Sequence, residues 1–155
     1  MARFIGRYEH SLDVKGRVIL PAKLRASFDT QAFLSQHDDR CLALWTPDEF
    51  DRQTEEMEAK QDLGPKERNR VRAWAASSVE IEMDRQGRVA IPQYLRAFAG
   101  LEDDKPVLIA GALNRIELWN PQEWAERVGP SEASFTTSEP DSSPAATGPS
   151  PATTM

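Results

Sequence analysis

Two five-residue stretches, Asp13-Val14-Lys15-Gly16-Arg17 and Asp84-Arg85-Gln86-Gly87-Arg88, set an acid, a glycine and an arginine at the same spacing in two places along the chain. The chemistry these residue types offer is recognition of phosphate and of base edges. Ammonium and guanidinium groups neutralise backbone phosphates and release counterions, and a guanidinium fork also fits the O6 and N7 acceptors of guanine in the major groove. Lys15, Arg17, Arg85 and Arg88 are the candidates on the turns, Lys23, Arg25 and Arg96 lie just behind them, and Arg3 adds to the basic N-terminal stretch. A second reading has Asp13 pairing with Arg17, and Asp84 with Arg88, only to stiffen each turn, while the helix cations form a solvated face. Exposed ion pairs contribute about 0–1 kcal/mol, so residue types alone leave both readings open.

Other chemistry is thinly provided. The chain has two histidines, one cysteine and no glycine-rich phosphate loop. His37-Asp38-Asp39-Arg40-Cys41 supplies one His and one Cys, short of the three or four ligands zinc requires, and reads as a polar turn entering a strand. His10 and Ser11 are neighbours on an expected strand, where successive side chains point to opposite faces and cannot form a nucleophile and base pair. Trp45, Trp119 and Trp124 sit at strand ends and cap junctions, where core aromatics are expected. No catalytic residue, metal ligand or cofactor is therefore expected.

The elements that must carry the basic turns can be read from the same residues. Asp at the first position and Gly at the fourth suit a type I turn closing a hairpin, because Asp bonds its own downstream backbone and Gly accepts positive φ. Each turn feeds a short apolar run, Arg17–Leu20 or Arg88–Ile91, which Pro21 or Pro92 ends. Proline lacks the N–H a ladder needs but fits a first helical position, so short helices should begin there. Over residues 12–26 and 83–97, eight of 15 aligned positions are identical, where about one would match by chance. Leu44-Trp45-Thr46-Pro47-Asp48-Glu49-Phe50 and Leu118-Trp119-Asn120-Pro121-Gln122-Glu123-Trp124 repeat behind them in the same order. The chain is thus an internal duplication.

Strands are expected over 39–45, 105–111 and 112–119, the last two as a hairpin. Capping boxes start helices at Pro47 and Pro121, and the Leu63-Gly64 break precedes an extra helix over 65–76 with Val71, Trp74 and Ala75 on one face. The boundaries are a first repeat over 1–63, an inserted helix over 64–78, a second repeat over 79–128 and a disordered tail over 129–155. The tail is rich in Ser, Thr, Pro, Gly and Ala and lacks Lys and Arg, too little apolar surface to offset chain entropy. A half of about 60 residues buries little surface alone, so the repeats should share one core.

With 19 basic and 25 acidic residues the net charge is −6, and the sum does not announce a nucleic-acid partner. Its distribution says more, because charges act over about 8 Å at physiological salt. Residues 1–26 are basic and 48–62 acidic. The absence of a long apolar stretch or signal core, and a lone Cys41 expected in a buried strand, point to the cytoplasm.

On both turns, the flanking apolar strands, the Pro-x-x-Leu-Arg segments, the start Arg3-Phe4-Ile5-Gly6 and the Leu-Trp-x-Pro-x-Glu-aromatic pair, the chain resembles the MraZ family of bacterial transcriptional regulators, relatives of the AbrB and SpoVT DNA-binding domains. The likeness covers residues 1–128. It implies an α+β fold, a swapped-hairpin, double-psi-like β-barrel built by the two repeats and flanked by helices. It further implies a homo-oligomeric ring of about eight subunits on the nucleoid. Such a ring binds short direct repeats of double-stranded DNA and usually represses the cell-division and cell-wall gene cluster, with no cofactor. DNA contact then falls on Lys15 and Arg17, with the second motif on Arg85 and Arg88, and Gln86 in place of Lys15 makes the tips unequal. An enzyme using His10, Ser11 and the Asp/Arg pairs on the same barrel, and a structural ring with stiffened turns, are the competing expectations.

Overall fold

The computed structural model describes residues 2–136. Strand β1 (Arg7–Ser11) runs into the first Asp-Gly turn and returns as β2 (Arg17–Ile19), followed by helix α1 (Ala22–Arg25), the hairpin β3 (Gln31–Gln36) and β4 (Leu42–Trp45), and helix α2 (Pro47–Lys60). Helix α3 (Pro65–Ser77) is inserted before the order recurs as β5 (Val79–Glu82), β6 (Arg88–Ala90), α4 (Gln93–Ala99), β7 (Pro106–Gly111), β8 (Ile116–Trp119) and α5 (Pro121–Arg127), with a short α6 (Gly129–Ala133) after it. At both expected capping boxes the N-cap side chain takes up helix N–H groups, while Glu49 and Glu123 turn instead to Gln53 and Arg127. Thr46 Oγ1 accepts from the Glu49 N–H at 3.3 Å, and Asn120 Oδ1 accepts from Gln122 and Glu123 N–H at 2.8 and 3.2 Å. Each satisfies helix donors that would otherwise lack partners.

Pairing of the strands crosses the repeat boundary. The six-stranded antiparallel sheet has the order β1-β7-β8-β4-β3-β5, so β1 leaves its own repeat to pair with β7, and β5 leaves its own to pair with β3. β2 and β6 form a separate antiparallel ribbon with Val18 opposite Val89. The Asp-Gly tips join β1 to β2 and β5 to β6, so the strands follow one closed circuit in which the hairpins of the repeats are exchanged.

Equivalent positions of the two repeats meet in one core. Leu12, Val18, Leu20 and Leu24 are all buried, and so are their counterparts Met83, Val89, Ile91 and Leu95. Each such side chain contributes about 1.5–3 kcal/mol through removal from water. On the opposite side of the sheet a smaller cluster gathers Cys41, Leu108, Ala110 and Trp119 under Trp124 of α5. Phe50 and Trp124, equivalent in the duplication, pack differently: Phe50 stacks on Phe33 at 4.3 Å and Trp124 meets Trp119 edge-on at 5.3 Å.

Several sequence expectations need correction. Pro21 and Pro92 sit one residue before their helices, in extended backbone (ψ 142° and 148°). The strand expected from Asp39 begins at Leu42, because Asp38–Arg40 forms a tight turn with Asp39 and Arg40 at positive φ. Residues 112–115 turn the β7–β8 hairpin and are not strand. Strand β3 was not anticipated, since Gln31, Ser35 and Gln36 interrupt its alternation. On α3 the buried face is Val71, Trp74 and Ser77, with Ala75 exposed. The tail expected to be without structure from Gly129 begins with helix α6, whose Glu132 takes a hydrogen bond from Trp124 Nε1 at 2.9 Å and an ion pair from Arg7 at 2.6 Å. The rest of that expectation, 137–155, lies outside the described residues. No helix among the described residues is long and apolar enough to cross a membrane.

Because β1, β2 and β5 find their partners in the other repeat, residues 1–78 and 79–136 should each lack fixed structure as monomers and should gain it on mixing. Circular dichroism and gel filtration of both fragments check this. A folded monomer of either fragment would contradict the exchanged pairing.

Candidate nucleic-acid interface

The two tips repeat each other in their hydrogen bonds. In the first, Asp13 Oδ1 accepts from the backbone N–H of Lys15 and of Arg17, both at 2.9 Å, and Oδ2 accepts from Arg17 Nε at 2.8 Å. In the second, Asp84 Oδ1 accepts from Gln86 and Arg88 N–H at 2.9 Å and Oδ2 from Arg88 Nε at 2.6 Å. Gly16 and Gly87, at φ 75° and 80°, close the turns by donating to the Asp13 and Asp84 carbonyls at 3.0 Å. The backbone N–H of Arg17 and of Arg88, aided by their guanidinium groups, hold both carboxyls below the usual aspartate range. The ion pairs of the stiffening reading therefore form. They occupy only Nε, and among the described residues the Nη atoms of Arg17 and Arg88 have no hydrogen-bond partner.

Each tip is also locked onto the opposite repeat. The Gly87 carbonyl accepts from Leu20 N–H and the Gly16 carbonyl from Ile91 N–H, both at 2.9 Å. Arginines behind the turns cross over as well. A side chain at Gly16 would start 2.7 Å from Arg96 Cζ, and one at Gly87 would strike the Arg25 guanidinium. Arg25 donates to the Gln86 carbonyl, whereas Arg96 turns to Asp103 at 3.0 Å and leaves its buried Nε without a partner. The sequence offers these arginines either as DNA contacts behind the turns or as a solvated helix face. Instead they roof the tip of the other repeat, a relation that spacing along the chain cannot reveal.

The remaining cations divide by position. Lys15 and Arg85 are exposed on the turns and Lys23 is exposed on α1, and among the described residues none has an ion-pair partner. Arg3 is exposed too, but Phe4 beside it pairs with Leu113 at the β7–β8 turn, so Arg3 lies beyond the end of β1 opposite the tip. The structure does not bring it to the cluster. In the ribbon Val18 and Val89 face the core, while Arg17, Ile19, Arg88 and Ala90 face outward. Ile19, 45% exposed, is the site residue that sequence reasoning missed. The signal was present in the period-2 alternation with buried Val18.

The rival residues stand apart. His10 is half-buried and Ser11 exposed on successive positions of β1. His37 lies near Glu117, 3.9 Å away, with burial holding its pKa below the usual value, and burial pushes the Cys41 thiol up. Trp45 and Trp119 are buried, their indole N–H groups donating to Ser35 and Glu117 at 2.8 and 3.0 Å.

The crossed arginines give a directional expectation. Arg96→Ala should speed amide hydrogen exchange at residues 13–17 and spare 84–88, and Arg25→Ala should do the reverse. Exchange that changes at the mutated repeat's own tip would refute the crossing.

Residues 3–72, and again residues 75–142, match the family model described as "MraZ protein, putative antitoxin-like". Among solved structures, the chain is similar to the solution structure of PHS018 from Pyrococcus horikoshii, at 12% identity over 77% of this chain and 94% of that one, with a TM-score of 0.33, too low to bear on the fold. Each of the tandem family matches contains one Asp-Gly-Arg tip, and together they span most of the sequence. The chain belongs to the MraZ family.

Proposed function

We propose that this protein is a sequence-specific DNA-binding regulator that acts as a repressor. The observation that carries the reading is the outer face of the β2–β6 ribbon, where Arg17 and Arg88 have free Nη groups and the exposed Lys15 and Arg85 lie on the tips at its two ends. Gly87 is level with Leu20, so the tip glycines lie four strand steps apart along the ribbon, about 13 Å, and a major groove about 12 Å wide admits a two-stranded ribbon. Arg17 and Arg88 then sit where base edges lie, Ile19 where a thymine methyl group would be met, and Lys15 and Arg85 at the flanking phosphates. Lys23 adds phosphate contact from α1. Arg25 and Arg96 act by holding the tips.

The rest of the reading follows the family. Its targets are tandem direct repeats upstream of the cell-division and cell-wall gene cluster, bound on the nucleoid by a homo-oligomeric ring of about eight subunits without a cofactor. A single mildly acidic subunit with one small basic face binds weakly, and a ring presents several such faces at high effective concentration. The enzymatic reading is weaker, because among the described residues His10 and Ser11 are successive on β1, where side chains point to opposite faces, and neither they nor the Asp/Arg pairs line the cavities beside Asp38–Arg40 or Thr46.

Binding of the purified protein to its own upstream DNA, measured across salt concentrations, tests the reading. Lys15→Ala and Arg85→Ala should each lower the salt slope by about 0.9 and weaken all sequences alike. Arg17→Ala should lose about 1–3 kcal/mol per engaged subunit and relax preference at one base. No binding above random DNA would refute sequence-specific regulation, and unchanged affinity in all three variants would return the arginines to a purely stiffening role.

Spacing provides a separate test of the ring. Inserting about 5 bp between two repeats moves the second to the opposite face of DNA, and affinity should fall toward that of a single repeat, recovering partly when a full turn of about 10–10.5 bp is restored. Indifference to spacing and repeat number would exclude avidity from the mechanism.

A further inference from the structure

A cavity of about 360 Å³ opens between the Asp38–Arg40 turn and the α2–α3 pair, and no residue of either tip lines it. Its apolar walls are Met57, Trp74 and Phe98, and its rim carries Arg40, Lys60 and Arg70. The volume is that of a small metabolite. The acids at the rim are already engaged, Asp38 by Arg70 and Asp39 by Arg127 at 3.6 Å, and Arg40 reaches Glu123 only at 3.7 Å. Lys60 has no ion-pair partner among the described residues. The Asp38–Arg40 turn is held with two successive non-glycine residues, Asp39 and Arg40, at φ 63° and 64°. L residues adopt this conformation reluctantly, and it tends to recur where a site is being shaped. We propose that this cavity binds a small anion bearing a flat apolar group, its ring against Trp74 and Met57 and its charge at Lys60 and Arg40.

The geometry also ties the cavity to one basic tip through a single helix. α4 places Phe98 in the cavity wall and Arg96 over Gly16, and its Tyr94 Oη donates to the Ser77 carbonyl at the end of α3 at 2.9 Å. Displacement of Phe98 or α3 by a ligand therefore moves the roof of the first tip. The second tip is roofed by Arg25 from α1, which contributes no residue to the cavity. A ligand here acts on the roof over Lys15 and Arg17 and not on the roof over Arg85 and Arg88. The regulatory meaning of this relay rests on the nucleic-acid reading, although its structural part does not.

Phenyl phosphate serves as the probe on the full chain, with inorganic phosphate as the charge-only control. Calorimetry should give a saturable isotherm for phenyl phosphate that is at least about tenfold weaker in Lys60→Glu, the loss of a charge-assisted contact, and absent in Met57→Trp, which fills the cavity. Lys60 ends an exposed helix, so that variant keeps the test available if the Trp variant does not fold. Hydrogen exchange should slow at residues 70–77 and change at 13–17 but not at 84–88. No isotherm, or one that Lys60→Glu leaves unchanged, overturns the site. Equal binding of inorganic phosphate overturns the apolar part of the ligand, and an unaltered 13–17 segment overturns the relay. None of these readouts involves DNA, so their failure is distinct from failure of the proposed regulator.

Discussion

Exchange of backbone hydrogen bonds between the two Asp-Gly tips and the opposite β2–β6 strands is the constraint on which the architecture turns. Leu20 N–H reaches the Gly87 carbonyl and Ile91 N–H the Gly16 carbonyl, and the Val18 and Val89 side chains lie between them in the core. Once these bonds are set, β1 is delivered to β7 and β5 to β3, because each is tethered to the ribbon by its own tip. Neither repeat can complete its sheet from its own residues. The apolar positions that recur in the duplication then converge on a single interior, and a tip cannot be displaced without disturbing the strand that follows the other one.

Within that frame the aspartate of each motif has two roles. One oxygen gathers two backbone N–H groups and fixes the turn, and the other takes Arg17 Nε or Arg88 Nε and fixes the direction of the guanidinium. An arginine held at Nε loses little of its donor capacity, since four of its five N–H bonds are on the Nη atoms. Stiffening the turn and presenting a fork are thus compatible. The competing entropy of a long free side chain is met before any ligand arrives.

The turns, the duplication and both capped helices were legible in the sequence, because each rests on a local rule: positive φ at Gly16 and Gly87, a polar cap and proline at the helix start, residue types recurring at fixed spacing. What escaped was decided by distant parts of the chain. β3 carries too much polarity to read as a strand, and its burial comes from lying between β4 and β5. Arg25 and Arg96 look like surface cations from their neighbours in sequence, and their placement depends on a glycine more than 60 residues away in one case and 80 in the other. Helix α6 sits in a stretch of poor composition and is fastened by Glu132 to Arg7 and Trp124, partners that composition ignores.

The duplication has not kept its two ends alike. The first tip offers valine then lysine between its aspartate and glycine, the second arginine then glutamine, and only the second receives a backbone hydrogen bond from its roofing arginine. A pair of identical chains meeting across a true two-fold axis presents a face that looks the same from either end. Fusing the halves into one polypeptide removed that obligation, and the divergent tips give the ribbon a head and a tail. Anything that recognises the face has to choose an orientation on it, so this surface suits a partner whose own pattern runs in one direction better than one that reads alike backwards.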